Sequence, residues 1–197
     1  MNFAEYNVKD ANLEEILLAL KSLDTVEAVA LGGARSTGAS DENSDYDIYV
    51  YCAEIPPAET RENLLGKYCS IAEFGNHYWE SEDNTVMNNG IPVDIIYREV
   101  DRFGRYIDTV IKGGKAFNGY TTAFWHNIKN SKVLFDKTGS FTKFRDMAQI
   151  DFPENLRSAI IKNNRNLLNG KLPSYDRQIK KAQERGDIVS VNHRLTA

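Results

Sequence analysis

Residues 45–52, DYDIYVYC, alternate two kinds of side chain, which is the pattern of a β-strand whose two faces meet different surroundings. One face would be largely apolar and buried, and it consists of Tyr46, Ile48, Val50 and Cys52. The other face begins with Asp45 and Asp47, two carboxylates on the same side of the strand. Like charges this close raise the energy of a strand unless something positive lies between them. The segment therefore requires either a partner for its acids or a place at the exposed edge of a sheet.

A third acid, Asp94, interrupts the apolar run of residues 93–96, VDII. A carboxylate in such a run must be paired, bind a ligand or lie at the exposed mouth of the strand. Alone, it would indicate a structural carboxylate with a hydrogen-bond partner. Together with Asp45 and Asp47, it predicts a carboxylate cluster that binds a hard divalent cation, Mg²⁺ or Mn²⁺. The plainer interpretation, two acids that solubilise an edge strand, stays open at this point.

A pair of glycines, Gly32 and Gly33, follows the apolar segment 25–31. Glycines allow a sharp turn and let a ligand approach the main-chain N–H groups closely. A short helix that begins here would direct its free N–H groups toward an anion. Arg35 and Ser36 would add a positive charge and a hydroxyl suited to phosphate. The segment matches neither the P-loop nor the dinucleotide-binding fingerprint, and a Gly-Gly pair alone indicates only a turn.

Composition excludes several classes of protein. The 197 residues are 42% apolar and 26% charged, which is ordinary for a globular protein of one or two domains. A formal net charge of −4 does not indicate a broad nucleic-acid-binding surface. The sequence has neither a secretion signal nor an apolar run of about 20 residues that could cross a membrane. Cys52 and Cys69 lack metal or redox spacing, and the chain is predicted to be a cytoplasmic protein without a membrane partner.

Periodicity and turn residues predict an α+β fold. The expected helices cover 12–23, 58–71, 100–112, 120–130, 140–149 and 154–169, and the expected strands cover 25–31, 45–52, 74–80, 84–88, 91–98 and 133–135. A polar turn is predicted at 81–83 and a hairpin turn at Asn89–Gly90. The composition changes near residue 100 from strand-rich to helix-rich, which predicts an α/β head over 1–137 and a helical region over 138–197. Since the chain ends soon after the start of another helix, truncation of that region is one interpretation.

The order and spacing of these features resemble the polymerase-beta-type nucleotidyltransferase superfamily. The shared pattern is an apolar strand that ends in Gly32–Gly33, a spacer of eleven residues, Asp-Tyr-Asp in a strand, and Asp94 on a following strand. The resemblance extends over about residues 25–98. It implies a mixed sheet flanked by helices and followed by a helical C-terminal region, so that residues 1–137 would form the catalytic domain.

The resemblance also implies the role of the glycine turn. Gly32 and Gly33 would hold the triphosphate of an NTP, with Arg35 and Ser36 beside them. Members of the superfamily often have a serine at or directly after the second glycine, where its hydroxyl contacts a phosphate. This chain has Ala34 there, so Arg35 or Ser36 would have to supply that contact.

The acids would have the catalytic roles that the superfamily assigns to them. Asp45, Asp47 and Asp94 would bind Mg²⁺ or Mn²⁺, and Asp94 could instead act as the base toward the attacking hydroxyl. The reaction implied is the metal-dependent transfer of a nucleoside monophosphate from an NTP to a hydroxyl group, with release of pyrophosphate.

Within the superfamily, the chain looks most similar to the small bacterial antibiotic nucleotidyltransferases of the lincosamide and aminoglycoside type. This resemblance implies a small hydroxylated acceptor and a role in antibiotic resistance. Two aromatic residues, Tyr78 and Trp79, are predicted to pack in the core, because aromatic side chains dominate protein interiors. The residues considered for the acceptor pocket are Tyr49, Tyr51, His77, Tyr78 and Trp79.

Two other functions remain compatible with the sequence. The Gly33–Ala34 departure allows a non-catalytic or protein-modifying protein of the same fold, for instance an antitoxin-like regulator. An RNA-acting nucleotidyltransferase is disfavoured by the acidic charge and by the lack of an extended basic run. A homodimer is left open, because the sequence does not specify the oligomeric state.

Overall fold

A single mixed sheet of six strands organises the part of the chain that carries the acids. The computed structural model describes residues 10–41, 44–117 and 121–196. The strands are β1 (Val26–Leu31), β2 (Tyr46–Cys52), β3 (Cys69–Asn76), β4 (Ser81–Met87), β5 (Pro92–Glu99) and β6 (Lys132–Asp136). Their order is β3-β4-β5-β2-β1-β6. Strands β2 and β5 run parallel, and the other neighbouring pairs are antiparallel. The α+β fold with a mixed sheet is therefore confirmed.

Helices surround the sheet and form the C-terminal region. They are α1 (Ala11–Lys21), α2 (Gly33–Thr37), α3 (Ala58–Leu65), α4 (Val100–Ile107), α5 (Ala123–Asn130), α6 (Ser140–Ala148), α7 (Glu154–Arg165), α8 (Tyr175–Glu184) and α9 (Ile188–Thr196). A 3₁₀ turn at Gly66–Tyr68 follows α3, and π-helical turns at Asp108–Lys112 and Asn166–Gly170 follow α4 and α7. Within the described residues, no helix has the length and apolar character needed to cross a membrane.

Helix α1 covers one face of the sheet. Asp10 caps it, because its Oδ1 accepts hydrogen bonds from the N–H groups of Asn12 at 3.0 Å and Leu13 at 3.4 Å. Its buried stripe consists of Leu13, Ile16, Leu17 and Leu20. These side chains pack in one core with the apolar side chains of β1, β2 and β5, which are buried because both neighbouring layers exclude water.

The opposite face of the sheet is covered by aromatic side chains over part of its length. The ring of Tyr51 in β2 lies 5.5 Å from that of Phe103 in α4 and 5.2 Å from that of Phe141 in α6, centroid to centroid. Phe144 of α6 completes this cluster. The same face carries Asp47 near the start of β2, where the carboxylate is only half-buried.

Most of the predicted elements are present, with boundaries shifted by a few residues. Strand β6, the hairpin turn at Asn89–Gly90 and the helices after residue 100 are confirmed. Strand β2 lies between β1 and β5, so the interpretation of an exposed edge strand is wrong. Residues 118–120, which fall within or beside the helix expected over 120–130, lie outside the described residues.

Two predictions around β3 and β4 are wrong. The helix expected over 58–71 ends at Leu65, because the chain enters β3 at Cys69. The polar turn expected at 81–83 is the start of β4, and Asp83 is fully buried there. Its partner is Arg61 of α3, whose Nη1 lies 2.8 Å from Oδ1 of Asp83. The turn between the two strands lies at residues 77–80 instead.

The described residues form two compact units. Among the described residues, one unit comprises 10–41, 44–107 and Ala123–Gln149, and it contains the sheet. The other comprises 108–117, 121–122 and 150–196, and it is helical. The predicted boundary after residue 137 stays a prediction, because grouping by contact does not test which segments fold alone.

Candidate active site

Two of the three predicted acids are neighbours across parallel strands. Asp47 of β2 and Asp94 of β5 are register partners, so their side chains emerge from the same face at the same level. Asp45 lies directly before β2 and is exposed, whereas Asp47 and Asp94 are half-buried. The fold therefore brings Asp45 and Asp47, at the start of β2, and Asp94, on β5, to one end of the sheet.

The charges of these acids act on one another. The pKa of Asp47 is raised above its usual value, first by partial burial and then by the negative charges of Asp45 and Asp94. Glu82 of β4 shows the same direction of pKa shift, first by desolvation and then through Asp94 and Glu80. This end of the sheet is therefore an acidic surface that a cation would stabilise.

The acidic surface fits a hard cation in its chemistry, since its donors are carboxylate oxygens. However, within residues 10–41, 44–117 and 121–196, no three His, Cys, Asp or Glu side chains converge in a geometry that could hold a metal ion. A shared cation would therefore require a change of side-chain rotamer, for which the exposed Asp45 has room.

The glycine turn packs directly against Asp47. The N–H of Gly32 donates to the main-chain oxygen of Asp47 at 2.8 Å. Gly33 has φ +59°, and a Cβ at this position would overlap Oδ2 of Asp47. The positive φ and the lack of room for a Cβ both require glycine at position 33, and the contacts of the two glycines with Asp47 join the turn and the acid into one unit.

Arg35 and Ser36 are engaged within the protein. The Nε of Arg35 donates to the main-chain oxygens of Ser44 at 2.9 Å and Asp45 at 3.0 Å, and its guanidinium stacks 4.0 Å from the ring centroid of Tyr46. The hydroxyl of Ser36 donates to the main-chain oxygen of Gly33 at 2.8 Å. Arg35 thus fixes the segment that carries Asp45, and the phosphate-binding roles of Arg35 and Ser36 stay predictions.

A polar cavity adjoins the glycine turn. It has a volume of about 210 Å³ and lies between α2 and α5. The residues that line it from α2 are Gly33, Ala34, Ser36 and Thr37, and those from α5 and its end are His126, Asn127, Asn130 and Ser131. No local pattern in the sequence indicates the α5 residues, because they lie about ninety positions after the glycines and only the fold brings the two segments together.

Strand β4 contributes to the site a side chain that the sequence patterns did not indicate. Asn84 is the register partner of Asp94, and its Nδ2 donates to Oδ1 of Asp94 at 2.9 Å. An asparagine in a polar stretch carries no distinctive signal, and the stretch itself was expected to border a turn. Its importance depends on a register that only the folded sheet defines.

The residues considered for an acceptor pocket divide into two groups. Tyr51 is 1% exposed and receives a hydrogen bond from Arg98, so it belongs to the interior and does not line an open pocket. Tyr49 is also buried, its hydroxyl accepts from Asn127 at 2.8 Å, and burial raises its pKa to about 12. In contrast, Tyr78 and Trp79 are 70% and 84% exposed, so the prediction that they pack in the core is wrong.

An ion pair anchors the turn that carries these exposed aromatic residues. Arg98 of β5 donates through Nε to Glu80 at 2.7 Å, and a second guanidinium nitrogen lies 2.5 Å from the other carboxylate oxygen. The guanidinium also stacks on the rings of Tyr49 and Phe103 at 4.5 and 4.6 Å from their centroids. The turn at 77–80 is therefore tied to the strand that carries Asp94.

Comparison with protein families agrees with this arrangement. A family model described as a nucleotidyltransferase domain matches residues 13–117, which is more than half of the chain. The chain belongs to this nucleotidyltransferase domain family. The resemblance to polymerase-beta-type nucleotidyltransferases is thus confirmed, and the activity that the family supports is nucleotidyl transfer.

Comparisons with solved structures and with curated sequences say less about this nucleotidyltransferase. A chain in a crystal structure of a toxin-antitoxin with AMP-PNP is similar to it with a TM-score of 0.40 and 15% sequence identity. That similarity covers 80% of this chain and 92% of the other. No curated protein sequence matches the chain significantly.

Proposed function

We propose that this nucleotidyltransferase transfers a nucleoside monophosphate from an NTP to a hydroxyl group of a small molecule and releases pyrophosphate. One observation carries the proposal. Asp47 and Asp94 are register partners on parallel strands, and the glycine turn packs against Asp47. The carboxylates and the proposed site for the triphosphate would thus adjoin each other, as phosphoryl transfer requires.

Asp45, Asp47 and Asp94 are the proposed ligands of Mg²⁺ or Mn²⁺. When bound, the ion would neutralise the negative charge that develops on the attacking and leaving oxygens. The support from this chain is electrostatic, because the pKa of Asp47 is raised first by burial and then by the charges of Asp45 and Asp94. A cluster of like charges favours the binding of a cation, whereas a buried structural carboxylate is usually paired with a positively charged side chain.

The phosphates of the NTP are proposed to lie at the main chain of Gly32 and Gly33. A phosphate needs N–H donors at close range. The N–H of Gly32 already donates to the main-chain oxygen of Asp47, so the proposed donor is the N–H of Gly33, which a phosphate could approach because neither glycine carries a Cβ. Arg35 contributes by holding the segment of Ser44 and Asp45 in place through its hydrogen bonds to their carbonyl oxygens. Ser36 contributes by closing the first turn of α2 onto Gly33.

The proposed reaction is a displacement at the α-phosphorus. The acceptor's hydroxyl oxygen forms a bond to that phosphorus, and the bond to the oxygen that bridges to the β-phosphorus breaks. Pyrophosphate leaves with the electron pair of the broken bond, and the hydroxyl proton passes to a carboxylate of the cluster or to solvent. The main role that we propose for Asp94 is that of a metal ligand. Its role as the base toward the attacking hydroxyl is the less favoured one, because a carboxylate beside a cation is a weak base.

The proposed acceptor is a small hydroxylated molecule, and antibiotics of the lincosamide or aminoglycoside type are the class to examine. The acidic surface around Asp94 and Glu82 favours an acceptor that carries amino groups. The exposed rings of Tyr78 and Trp79 offer area on which an acceptor could stack. A net charge of −4 disfavours a nucleic-acid acceptor. The proposed location of the reaction is the cytoplasm.

The test is transfer of radiolabel from an α-labelled NTP to a panel of hydroxylated acceptors, with Mg²⁺ or Mn²⁺ present. We expect transfer by the wild-type protein and a loss of about 1,000-fold or more in Asp45→Asn, Asp47→Asn and Asp94→Asn, since each removes one charge from the centre. Asp151→Asn, an exposed change elsewhere, is the matched control. Full transfer by the Asp47→Asn variant would refute the proposed role of the cluster.

The side chains beside the glycine turn favour a second function, the regulation of a partner protein without transfer of a nucleotide. The side chains of Arg35 and Ser36 are engaged within the protein, and Ala34 has no hydroxyl for a phosphate. A protein of this fold that regulates a partner without transferring nucleotide would need no such contacts. Calorimetry with Mg²⁺ and a nonhydrolysable ATP analogue separates the two functions, because only the transferase is expected to bind them.

A further inference from the structure

A chain of hydrogen bonds crosses three strands and ends on Asp94. Asn76 of β3 donates through Nδ2 to Oδ1 of Asn84 at 2.8 Å, and Asn84 of β4 donates through its own Nδ2 to Oδ1 of Asp94 at 2.9 Å. Asn76 also lies 3.2 Å from Oε2 of Glu73, to which it donates. The two hydrogen bonds between strands therefore run the same way, from Asn76 on β3 through Asn84 to the acid on β5.

The direction of this chain fixes the amide of Asn84. An asparagine amide has a donor side and an acceptor side of nearly equal shape. If the amide of Asn84 turned over, its oxygen would face the carboxylate of Asp94 and its NH₂ would face the NH₂ of Asn76. Both contacts would be repulsive, so Asn76 holds Asn84 in the orientation that donates to Asp94.

The hydrogen bond from Asn84 also determines which oxygen of Asp94 is available to bind a ligand. Among the residues that the structure describes, Asn84 is the one side chain that donates to this carboxylate, and it uses Oδ1. Oδ2 is then the oxygen that can approach a cation or an acceptor hydroxyl. Partners behind a ligand restrict its rotation and contribute strongly to its affinity for a metal.

We infer that Asn84 is a positioning residue for Asp94, and that Asn76 acts on the site only through Asn84. This inference rests on the proposed function, because it assumes that Asp94 contributes to a cation site. It goes beyond that function by assigning roles to two residues of β3 and β4 that need not touch substrate or metal.

The experiment measures Mn²⁺ binding directly by calorimetry or electron paramagnetic resonance, with a nonhydrolysable ATP analogue present. We expect Asn84→Ala to weaken Mn²⁺ binding by about 10–100-fold, because the carboxylate of Asp94 loses its fixed orientation. In steady-state assays, kcat should fall with it, while the KM of the acceptor changes little. Circular dichroism confirms that each variant is folded.

Asn76→Asp separates two explanations of an effect on the site. Positioning through Asn84 and a direct effect of the added charge predict opposite changes in Mn²⁺ binding. An aspartate at this position would accept from Asn84, turn its amide over and direct its oxygen toward Asp94, so Mn²⁺ binding should weaken. A purely electrostatic effect of the added negative charge would instead strengthen it. In the double variant with Asn84→Ala, the weakening caused by Asn76→Asp should disappear, since no amide remains to be turned.

Asn88→Asp is the matched control. Asn88 also donates through its side-chain amide, to the main-chain oxygen of Lys67 at 3.0 Å, but it belongs to the exposed turn after β4. The same chemical change there should leave Mn²⁺ binding within about twofold of wild type, as for an exposed charge away from the site.

The possible results separate the inference from the function on which it rests. If the wild-type protein binds Mn²⁺ with the analogue and Asn84→Ala binds it equally well, the inference is wrong and the proposed function stands. If the wild-type protein neither binds Mn²⁺ nor transfers nucleotide, the proposed function fails and the inference falls with it. If Asn84→Ala does not fold, Asn76→Asp decides, and a gain in Mn²⁺ affinity there overturns the inference.

Discussion

Gly33 and Asp47 occupy adjoining space that leaves no room for a side chain on the glycine. Gly33 has φ +59°, and a Cβ there would overlap the carboxylate of Asp47. Gly38, at the other end of α2, has φ +80° but meets nothing within 4 Å of a Cβ. The two glycines therefore share the backbone requirement and differ only in their contact with the acid, which makes them a matched pair.

We expect Gly33→Ala to reduce nucleotidyl transfer by about 100-fold, because the new methyl group displaces Asp47 by an ångström or more. Both Gly33→Ala and Gly38→Ala should lose roughly 1–2 kcal/mol of unfolding free energy from the left-handed backbone. Transfer assays and urea unfolding measure the two effects separately. Equal loss of transfer in both variants would show that backbone strain, and not contact with Asp47, is responsible.

At the scale of elements, a buried ion pair joins α3 to β4. The side chains of Arg61 and Asp83 are 3% and 0% exposed, and Asp83 also accepts from the N–H of Gly75 at 2.9 Å. The guanidinium of Arg61 stacks 4.4 Å from the ring centroid of Tyr97 on β5. Burial raises the pKa of Asp83, although Arg61 and the hydrogen bonds oppose that shift. The pair therefore links a helix to two strands at a buried site.

We expect Arg61→Met to lower the free energy of unfolding by about 3–5 kcal/mol, since it leaves Asp83 buried without a counter-charge. The exposed pair of Arg157 and Glu154, with side chains 57% and 76% exposed, provides the control. Glu154→Gln should change the free energy of unfolding by less than about 1 kcal/mol. Urea unfolding measures both, and a small effect of Arg61→Met would mean that Asp83 finds another partner.

The elements that local patterns encode could be predicted, and those that depend on distant partners could not. The alternation of residues 45–52 identified β2, because a strand with unlike faces repeats every two residues. Residues 81–83 look like a turn because three polar residues are adjacent, and nothing local indicates that Arg61, more than twenty positions earlier, neutralises Asp83. Asn84 was missed for the same reason, since its partner Asp94 becomes a neighbour only through the register of β4 and β5.

At the scale of the whole molecule, the acids at this end of the sheet lower the stability of the folded chain. The chain carries a formal net charge of −4, and three of its carboxylates lie at one end of the sheet. Because the folded-state pKa of Asp47 is raised, its charged form is disfavoured by folding, and stability falls as pH rises through the range in which it ionises. Sites of this kind are stabilised when the repulsive charge is removed or when a ligand compensates it.

We expect Asp47→Asn to raise the melting temperature of the ligand-free protein by up to about 4 °C, because it removes a repulsive charge whose effect solvent already screens to about 1 kcal/mol or less. With Mn²⁺ and a nonhydrolysable ATP analogue at about 100 times their Kd, wild type should gain about 2.7 kcal/mol, or roughly 5–10 °C, while Asp47→Asn should gain little. Asp151→Asn, in an exposed segment, should behave as wild type in both conditions. A lower melting temperature of ligand-free Asp47→Asn would mean that the carboxylate stabilises the fold, and the interpretation of the cluster as a cation site would lose its electrostatic support.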